Sequence, residues 1–335
     1  MSVLQRVTNL VRPANLTGLT SLVVGATAGI GAHIAQQLAA SGARTIITGR
    51  DPASITRSLV DIRAVATGPV DGLLADIADL ASVRRAAAEI RATHQRIDIV
   101  VANAGVMVAG TSRSFTKDGF ETHFGVDHLG NAALLLALER PIRNAGGRVV
   151  IVASEAHRRA KGLPMDDLMG AREYNGIRAY RRSKLANILF ARGLAERWPD
   201  ATVYSVHPGG VLTNMLRRRM IESRLYHVLL TLIRSKLLTP EEAAAGIVRV
   251  AVDPALAAPS GSYFELGRLA RPGSLARDDQ LCRQLFNVTL EILTDSLPVP
   301  DATSLQSLKP MPEPAKTHEK PPLSEPRPRE TYNGH

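Results

Sequence analysis

The stretch SLVVGATAGIGAHIAQQLAASG, residues 21–42, carries three signals in order. Ser21–Val24 is a short apolar run that reads as a buried strand. Gly25-Ala26-Thr27-Ala28-Gly29-Ile30-Gly31 follows as a glycine-rich turn. Ile30, Ile34 and Leu38 then recur at i, i+4 spacing, which puts them on one helix face, and Gly42 ends the helix. Glycines allow a tight turn and let backbone approach a pyrophosphate. A helix N-terminus adds unpaired N–H groups and partial positive charge. The spacing is G-x-x-x-G-x-G rather than G-x-G-x-x-G. Taken alone, such a turn serves structure as well as a ligand; the strand before it and the helix after it point to a dinucleotide.

The alternation continues outward from this unit. Thr45–Thr48, Gly72–Leu74, Ile97–Val101, Val149–Ala153 and Thr202–Val206 read as strands, and Ser262–Phe264 is a candidate seventh. These runs are continuously apolar, as strands covered on both faces are. Regular alternation with helical patterns predicts an α/β chain with a doubly wound, mostly parallel sheet and helices on both faces. Ligands in such sheets bind beyond the carboxyl ends of the strands, where every motif below falls.

Composition bounds the reading. Aromatic residues are 4% of the chain against 45% apolar overall, so the core must be built from Val, Ile, Leu and Ala. Cys282 is the single cysteine, which excludes an internal disulfide and suits a reducing, cytoplasmic setting. No run reaches the length of a spanning helix; the longest candidate, Leu225–Ile233, contains His227 and Thr231. The formal charge of +10 suits a phosphate-bearing cofactor or an anionic surface. Neither zinc-finger spacing nor an aromatic-and-basic RNA motif is present, so nucleic acid is not an expected partner, and no metal site is expected. Residues 1–17 read as a leader, 18–295 as one domain, and 296–335 as a disordered tail; nine of the twenty prolines fall from Leu297 onward.

The cofactor end draws on four places. The glycine turn supplies Gly25, Thr27, Ala28, Gly29, Ile30 and Gly31. Arg50 stands nineteen residues past Gly31, where an acid would bind ribose hydroxyls and favour NAD. An arginine there suits the 2′-phosphate of NADP, with a solvated loop arginine as the bland alternative. Asp76 and Ile77 follow the third strand; Asp76 is placed to accept from an adenine amino group or to cap a helix. Asn103-Ala104-Gly105 ends the fourth strand, either as a surface for ribose or as a simple turn.

Tyr180-Arg181-Arg182-Ser183-Lys184 sets Tyr180 and Lys184 at i, i+4 on one helix face. A tyrosine near pKa 10 needs a fall of roughly 3 units, ~4 kcal/mol, to trade a proton near neutrality. A lysine ammonium and a nicotinamide's positive charge both push that way. Alone, the spacing is common and reads as a surface pair. Ser154, just past the fifth strand, adds a hydroxyl that can hold a substrate oxygen. After the sixth strand, His207-Pro208-Gly209-Gly210-Val211-Leu212-Thr213 makes a turn whose Pro208, Gly209, Val211 and Thr213 are assigned to the nicotinamide carboxamide and phosphate.

In this order, the glycine turn, Asn103-Ala104-Gly105, Ser154, Tyr180 with Lys184, and the His207–Thr213 turn resemble the short-chain dehydrogenase/reductase family. Asp118-Gly119-Phe120-Glu121, Phe124–Gly130 and the segment YRRSKLANILF (180–190) resemble its retinol-dehydrogenase-like and WW-domain-oxidoreductase-like branch. The likeness spans residues 18–292. It implies a seven-stranded Rossmann-type sheet and an oxidoreductase, for which Arg50 points to NADP rather than NAD. It implies Tyr180 as acid/base, Lys184 as ribose ligand and modulator of the phenol, and Ser154 as carbonyl orienter. Two positions depart from the pattern. Val24 replaces the usual Thr before the first glycine, and Asp127 replaces a catalytic Asn that kinks its helix and holds a water near the lysine. Asp127 is expected to keep supporting the relay with altered pH dependence, with Asn131, one turn on, as a substitute.

The segment at about 214–240 is expected to form a lid. Its Ile221, Leu225, Val228, Leu229, Leu232 and Ile233 at helical spacing suggest a small hydrophobic carbonyl or alcohol substrate. Its flanking arginines leave open a peripheral membrane contact or packing within a homo-oligomer. A cofactor-binding scaffold or sensor with little turnover stands as the alternative function.

Overall fold

The computed structural model describes residues 15–211, 237–256 and 258–295. Strands β1 (Thr20–Val24), β2 (Arg44–Gly49), β3 (Val70–Leu74), β4 (Ile99–Ala102), β5 (Arg148–Val152), β6 (Thr202–His207), β7 (Tyr263–Glu265) and β8 (Arg268–Ala270) form one sheet in the order β3-β2-β1-β4-β5-β6-β7-β8. Neighbours from β3 to β7 are parallel, and β8 is antiparallel to β7. Strand order runs outward in both directions from β1 and β4, so the topological switch lies between them.

The helices are α1 (Gly29–Ala40), α2 (Pro52–Arg63), α3 (Leu80–Thr93), α4 (Asn131–Ala137), α5 (Glu139–Ala145), α6 (Gly176–Arg197), α7 (Pro240–Val252) and α8 (Asp279–Asp295). A π-helical segment, His123–Gly130, runs directly into α4. Side chains alternate across each strand, so both sheet faces bury apolar residues. Leu22 and Val24 face one core with Val83 of α3, Leu134 of α4, Ile188 of α6 and Phe286 of α8. Val23 faces the other with Ile34 and Leu38 of α1, Ile55 of α2 and Ile247 of α7. The doubly wound α/β architecture read from the alternation is therefore the observed one.

The strand count differs from the expected seven. The eighth strand turns back through Leu266 (φ +52°) and Gly267 (φ +73°), a two-residue hairpin with both central residues left-handed. Arg268–Ala270 is short and exposes Leu269, so no apolar run marks it in the sequence.

Helix α8 closes one face of α6. Phe286 stacks on Phe190 with ring centroids 5.4 Å apart, and Gly193 makes the room: a Cβ there would lie 2.4 Å from the Phe286 ring. His128, in the π-helical segment, packs beneath them and shares a 2.9 Å hydrogen bond with the Thr289 hydroxyl. Burial pushes the His128 imidazole down from 6.5 to about 4. An unfolded chain protonates it near 6.5, so the fold's advantage is intact above that pH and is lost as pH falls toward 4. Two and a half units correspond to ~3 kcal/mol. Urea unfolding free energies measured from pH 6.5 down to 4 are expected to fall less steeply in His128→Gln than in the unaltered chain, by about that amount. Parallel pH curves would contradict the assignment.

Candidate active site

The first turn of α1 lacks the side-chain cap that four other helices carry. Side chains of Asp51, Asp79, Asn175 and Thr239 cap α2, α3, α6 and α7 by accepting from backbone N–H groups. Ala28 precedes α1 with no side-chain cap, and Ala28 and Gly29 are exposed. Uncapped N–H donors beside a glycine turn fit a diphosphate without any further side chain. The turn is held close by contact. Gly25 has φ +76°, and a Cβ on Gly31 would lie 2.1 Å from the Gly25 carbonyl oxygen and 2.6 Å from Asn103 Nδ2. Asn103 Nδ2 donates to that carbonyl at 3.1 Å, tying the end of β4 to the end of β1 across the switch. Val24 brings no hydroxyl here; the Gly25 N–H donates instead to Thr48 Oγ1 of β2 at 3.3 Å.

Arg50 follows β2 directly. It is exposed, and no hydrogen bond or ion pair holds it among the described residues. Thr27 packs on Gly49, where a Cβ would lie 2.4 Å from its methyl, so Arg50 flanks the glycine turn. Asp76 is not a helix cap, because Asp79 holds that position on α3. Its Oδ1 accepts from the Ala78 N–H at 3.0 Å. Ile77 is buried, with its carbonyl against Gly130.

On the other side of the switch, α6 presents Tyr180 and Lys184 one turn apart. Lys184 is 5% exposed, with Nζ 5.6 Å from the Tyr180 ring centroid. Gly105 leaves space for that ammonium: a Cβ at Gly105 would lie 2.9 Å from Nζ. Ser154 stands past β5 and opens the short 3-10 turn Glu155–Arg159, against which α6 packs. Ser154 Oγ accepts from the Ala156 N–H at 3.2 Å, which leaves its own hydrogen to donate. His157 holds this turn through both ring nitrogens. Its Nδ1 lies 2.6 Å from the Ser154 carbonyl, and its Nε2 accepts from the Gly273 N–H at 3.0 Å. Burial pushes His157 below its ordinary value and keeps it neutral for both bonds.

Asp127 is fully buried behind Lys184. Its Oδ1 accepts from the Val106 N–H at 2.6 Å, and its Oδ2 accepts from Ser183 Oγ at 2.8 Å. The same Oδ2 lies 3.4 Å from Lys184 Nζ. Asn131 takes up the backbone instead. Its Nδ2 donates to the carbonyls of Ala104 at 2.9 Å, Val126 at 2.9 Å and Asp127 at 3.2 Å. Two of those carbonyls lie within the π-helical winding, where the usual i→i−4 ladder is shifted.

After β6, Gly209 has φ +100° and packs so close to Leu266 and Leu238 that a Cβ would clash with both. His207 Nδ1 accepts from the Gly209 N–H at 3.4 Å, a role within the turn. Pro208, Gly209 and Val211 stand at the carboxyl end of β6, and Val211 bridges to Leu238. Thr213 and most of the expected lid, residues 212–236, lie outside the described residues, as does the tail. A broad open cleft of about 980 Å³ lies near the amino ends of β1 and β2, lined by Arg44, Arg63, Asp71 and Asp98. It faces away from the tyrosine and the glycine turn, and its mixed charges suit neither a dinucleotide nor an apolar substrate.

Two residues that the sequence does not mark belong to a cluster that reaches Tyr180. His123 sets its ring edge-on to the Tyr180 ring, centroids 6.2 Å apart, and Tyr174 reaches the same cluster through Glu121. Glu121 belongs to a segment whose family likeness was visible, but nothing in local spacing shows that it meets residue 174.

The sequence profile of the short chain dehydrogenase family matches residues 20–223. Human retinol dehydrogenase 12 is 36% identical over 282 residues, covering 83% of this chain and 87% of that protein. The WW domain-containing oxidoreductase of Drosophila melanogaster is 32% identical over 292 residues, covering 84% of this chain and 70% of its own. A short chain dehydrogenase from Burkholderia cenocepacia J2315, solved in complex with NADP, superposes with TM-score 0.60 at 26% identity, covering 76% of this chain and 98% of its own. Among the described residues no helix is long and apolar enough to cross a membrane. The chain belongs to the short-chain dehydrogenase/reductase family, in its retinol-dehydrogenase-like branch, and is an NAD(P)-dependent oxidoreductase.

Proposed function

We propose that this protein is an NADP-dependent oxidoreductase that interconverts a carbonyl and an alcohol on a small hydrophobic substrate, with Tyr180 as the proton-transfer residue. The observation that carries the reading is the buried Lys184 ammonium beside the Tyr180 ring, on the carboxyl side of a sheet whose first helix starts uncapped. Bound NADP supplies or accepts the hydride. Its diphosphate suits the α1 N-terminus, its 2′-phosphate Arg50, its adenine Asp76 and Ile77, and its ribose Asn103, Ala104, Gly105 and Lys184. The carboxamide suits Pro208, Gly209, Val211 and Thr213. The Burkholderia neighbour's NADP complex and Arg50, which has no partner among the described residues, support the choice of cofactor.

In the reducing direction the free Ser154 hydrogen bonds the substrate carbonyl oxygen and turns it toward Tyr180. The phenol gives its proton to that oxygen as charge develops there. Lys184 stabilises the phenolate left behind by opposite charge. Retinol dehydrogenases among the relatives support an apolar alcohol or aldehyde as substrate, and the apolar spacing of the expected lid agrees.

NADPH oxidation measured against hexanal, decanal and retinal is the direct test. Turnover rising with apolar length supports the reading; saturable NADPH binding with no turnover on any of them would instead favour a cofactor-binding sensor. Arg50→Ala is expected to weaken NADPH binding about tenfold to a hundredfold while NADH binding holds, as loss of one charge-assisted bond to a phosphate requires. Equal loss for both cofactors would refute the phosphate role.

Asp127 makes the pH dependence specific to this chain. Its carboxylate faces the Lys184 ammonium and offsets part of the positive field at the phenol. Asp127→Asn keeps an oxygen for the Val106 N–H and removes the charge. The pH–rate profile is therefore expected to move to lower pH in the variant. An unmoved profile would show that the carboxylate has no part in the relay.

A further inference from the structure

A second buried polar cluster lies behind Tyr180 and is separate from Asp127, Lys184 and Ser154. The side chains of His123 and Glu121 are 0% and 1% exposed. Glu121 Oε1 accepts from the Tyr174 hydroxyl at 2.9 Å and pairs with His123 Nδ1 at 2.7 Å, while Oε2 accepts from the Phe124 N–H at 2.9 Å. His123 Nε2 accepts from the Val108 N–H at 2.9 Å, so in this hydrogen-bond network the ring proton sits on Nδ1 and points at Glu121. Burial alone would raise the Glu121 carboxyl, but the bonds from His123 and from backbone N–H groups outweigh it and hold the carboxyl below its ordinary value. Burial and the Glu121 carboxylate push the Tyr174 phenol up, so it stays a donor. Every polar atom named in the cluster is thus satisfied, as a buried charged group requires.

The cluster joins two segments that are distant in sequence. The Val108 N–H anchors the loop that follows β4. Tyr174 anchors the residues that lead into α6. These segments touch where Gly176 donates to the Gly110 carbonyl at 2.9 Å, so close that a Cβ on Gly176 would lie 2.2 Å from the Val108 carbonyl oxygen. On either side of that contact stand two exposed apolar side chains, Val108 at 45% and Ile177 at 39%. Ile177 precedes Tyr180 by three residues on α6, and the His123 ring meets the Tyr180 ring edge-on.

We propose that Glu121, His123 and Tyr174 are positioning residues that hold an apolar rim, Val108 and Ile177, at a fixed place beside Tyr180, and so set the affinity for the apolar part of the substrate. None of the three touches the reacting atoms; they act through the backbone of the rim and the face of the Tyr180 ring. This rests on the oxidoreductase reading above and adds the specificity device to it. A rim tied to a rigid buried carboxylate loses less entropy when an alkyl chain settles on it than a loose loop would.

The test uses the full chain with NADPH and compares hexanal with decanal. Tyr174→Phe removes one hydroxyl, leaves Glu121 its other bonds, and is the variant least able to disturb folding. It is expected to raise KM for decanal about tenfold, with a smaller rise for hexanal and unchanged NADPH affinity. His123→Leu should reproduce that pattern, and His123→Gln, which keeps an acceptor for the Val108 N–H, should return KM to within about threefold of the unaltered chain. A lowered melting temperature with KM unchanged for both aldehydes would mean that the cluster is merely structural and would overturn the inference alone. Failure of the unaltered chain to turn over either aldehyde would overturn the oxidoreductase reading and this inference with it.

Discussion

The carboxylate of Asp127 sits out of water between two other parts of the chain, taking a hydrogen bond from the loop after β4, another from Ser183 of α6, and the charge of Lys184 on the same helix. Burying an unpaired carboxylate costs several kcal/mol, so this side chain is compatible with the fold only while those donors stay in place. The converse also holds. Lys184 is itself buried, and its ammonium needs an anion or a polar ligand beside it. The pair therefore locks α6 against the end of β4, at the distance that Gly105 allows. Tyr180 rides one turn away on the same helix, so its place is set by the same lock.

The cofactor side depends on a different shortage, that of side chains. Four other helices begin with a side chain that satisfies their first N–H groups, and α1 does not. Gly25 and Gly31 bring backbone so close that no side chain fits between them, and Asn103 closes the gap from the neighbouring sheet half. What remains is a patch of donors and positive potential facing outward at the switch point. The proposed division of labour follows: backbone for the diphosphate, Arg50 for the extra phosphate, and α6 for the proton.

Much of this arrangement was legible in residues 18–295 because its signals are local. Buried parallel strands read as apolar runs, the glycine turn has a fixed spacing, and Tyr180 with Lys184 needs only helical periodicity. Features with no local signature are the ones the sequence hides. The last hairpin is made by the left-handed Leu266 and Gly267, and its outer strand carries no apolar run. The π-helical winding at His123–Gly130 depends on Asn131 plugging two carbonyls, which spacing does not reveal. Asp127 was visible as an unusual residue at its position, but its partners at 106, 183 and 184 come together only in three dimensions. The Glu121–Tyr174 bond spans 53 residues and is invisible for the same reason. Thr213, the lid and the tail fall outside the described residues, so the expectations placed on them stand as sequence readings alone.

The central claim is that a single phenol hands the proton to substrate while an adjacent buried ammonium steadies it. Single-turnover rates of NADPH-loaded Tyr180→Phe, measured beside its NADPH affinity, test that claim most directly. The expected result is a rate lower by about 10² to 10⁴, the span of one lost general acid, with cofactor affinity unchanged. A variant that turns over at the rate of the unaltered chain would contradict it.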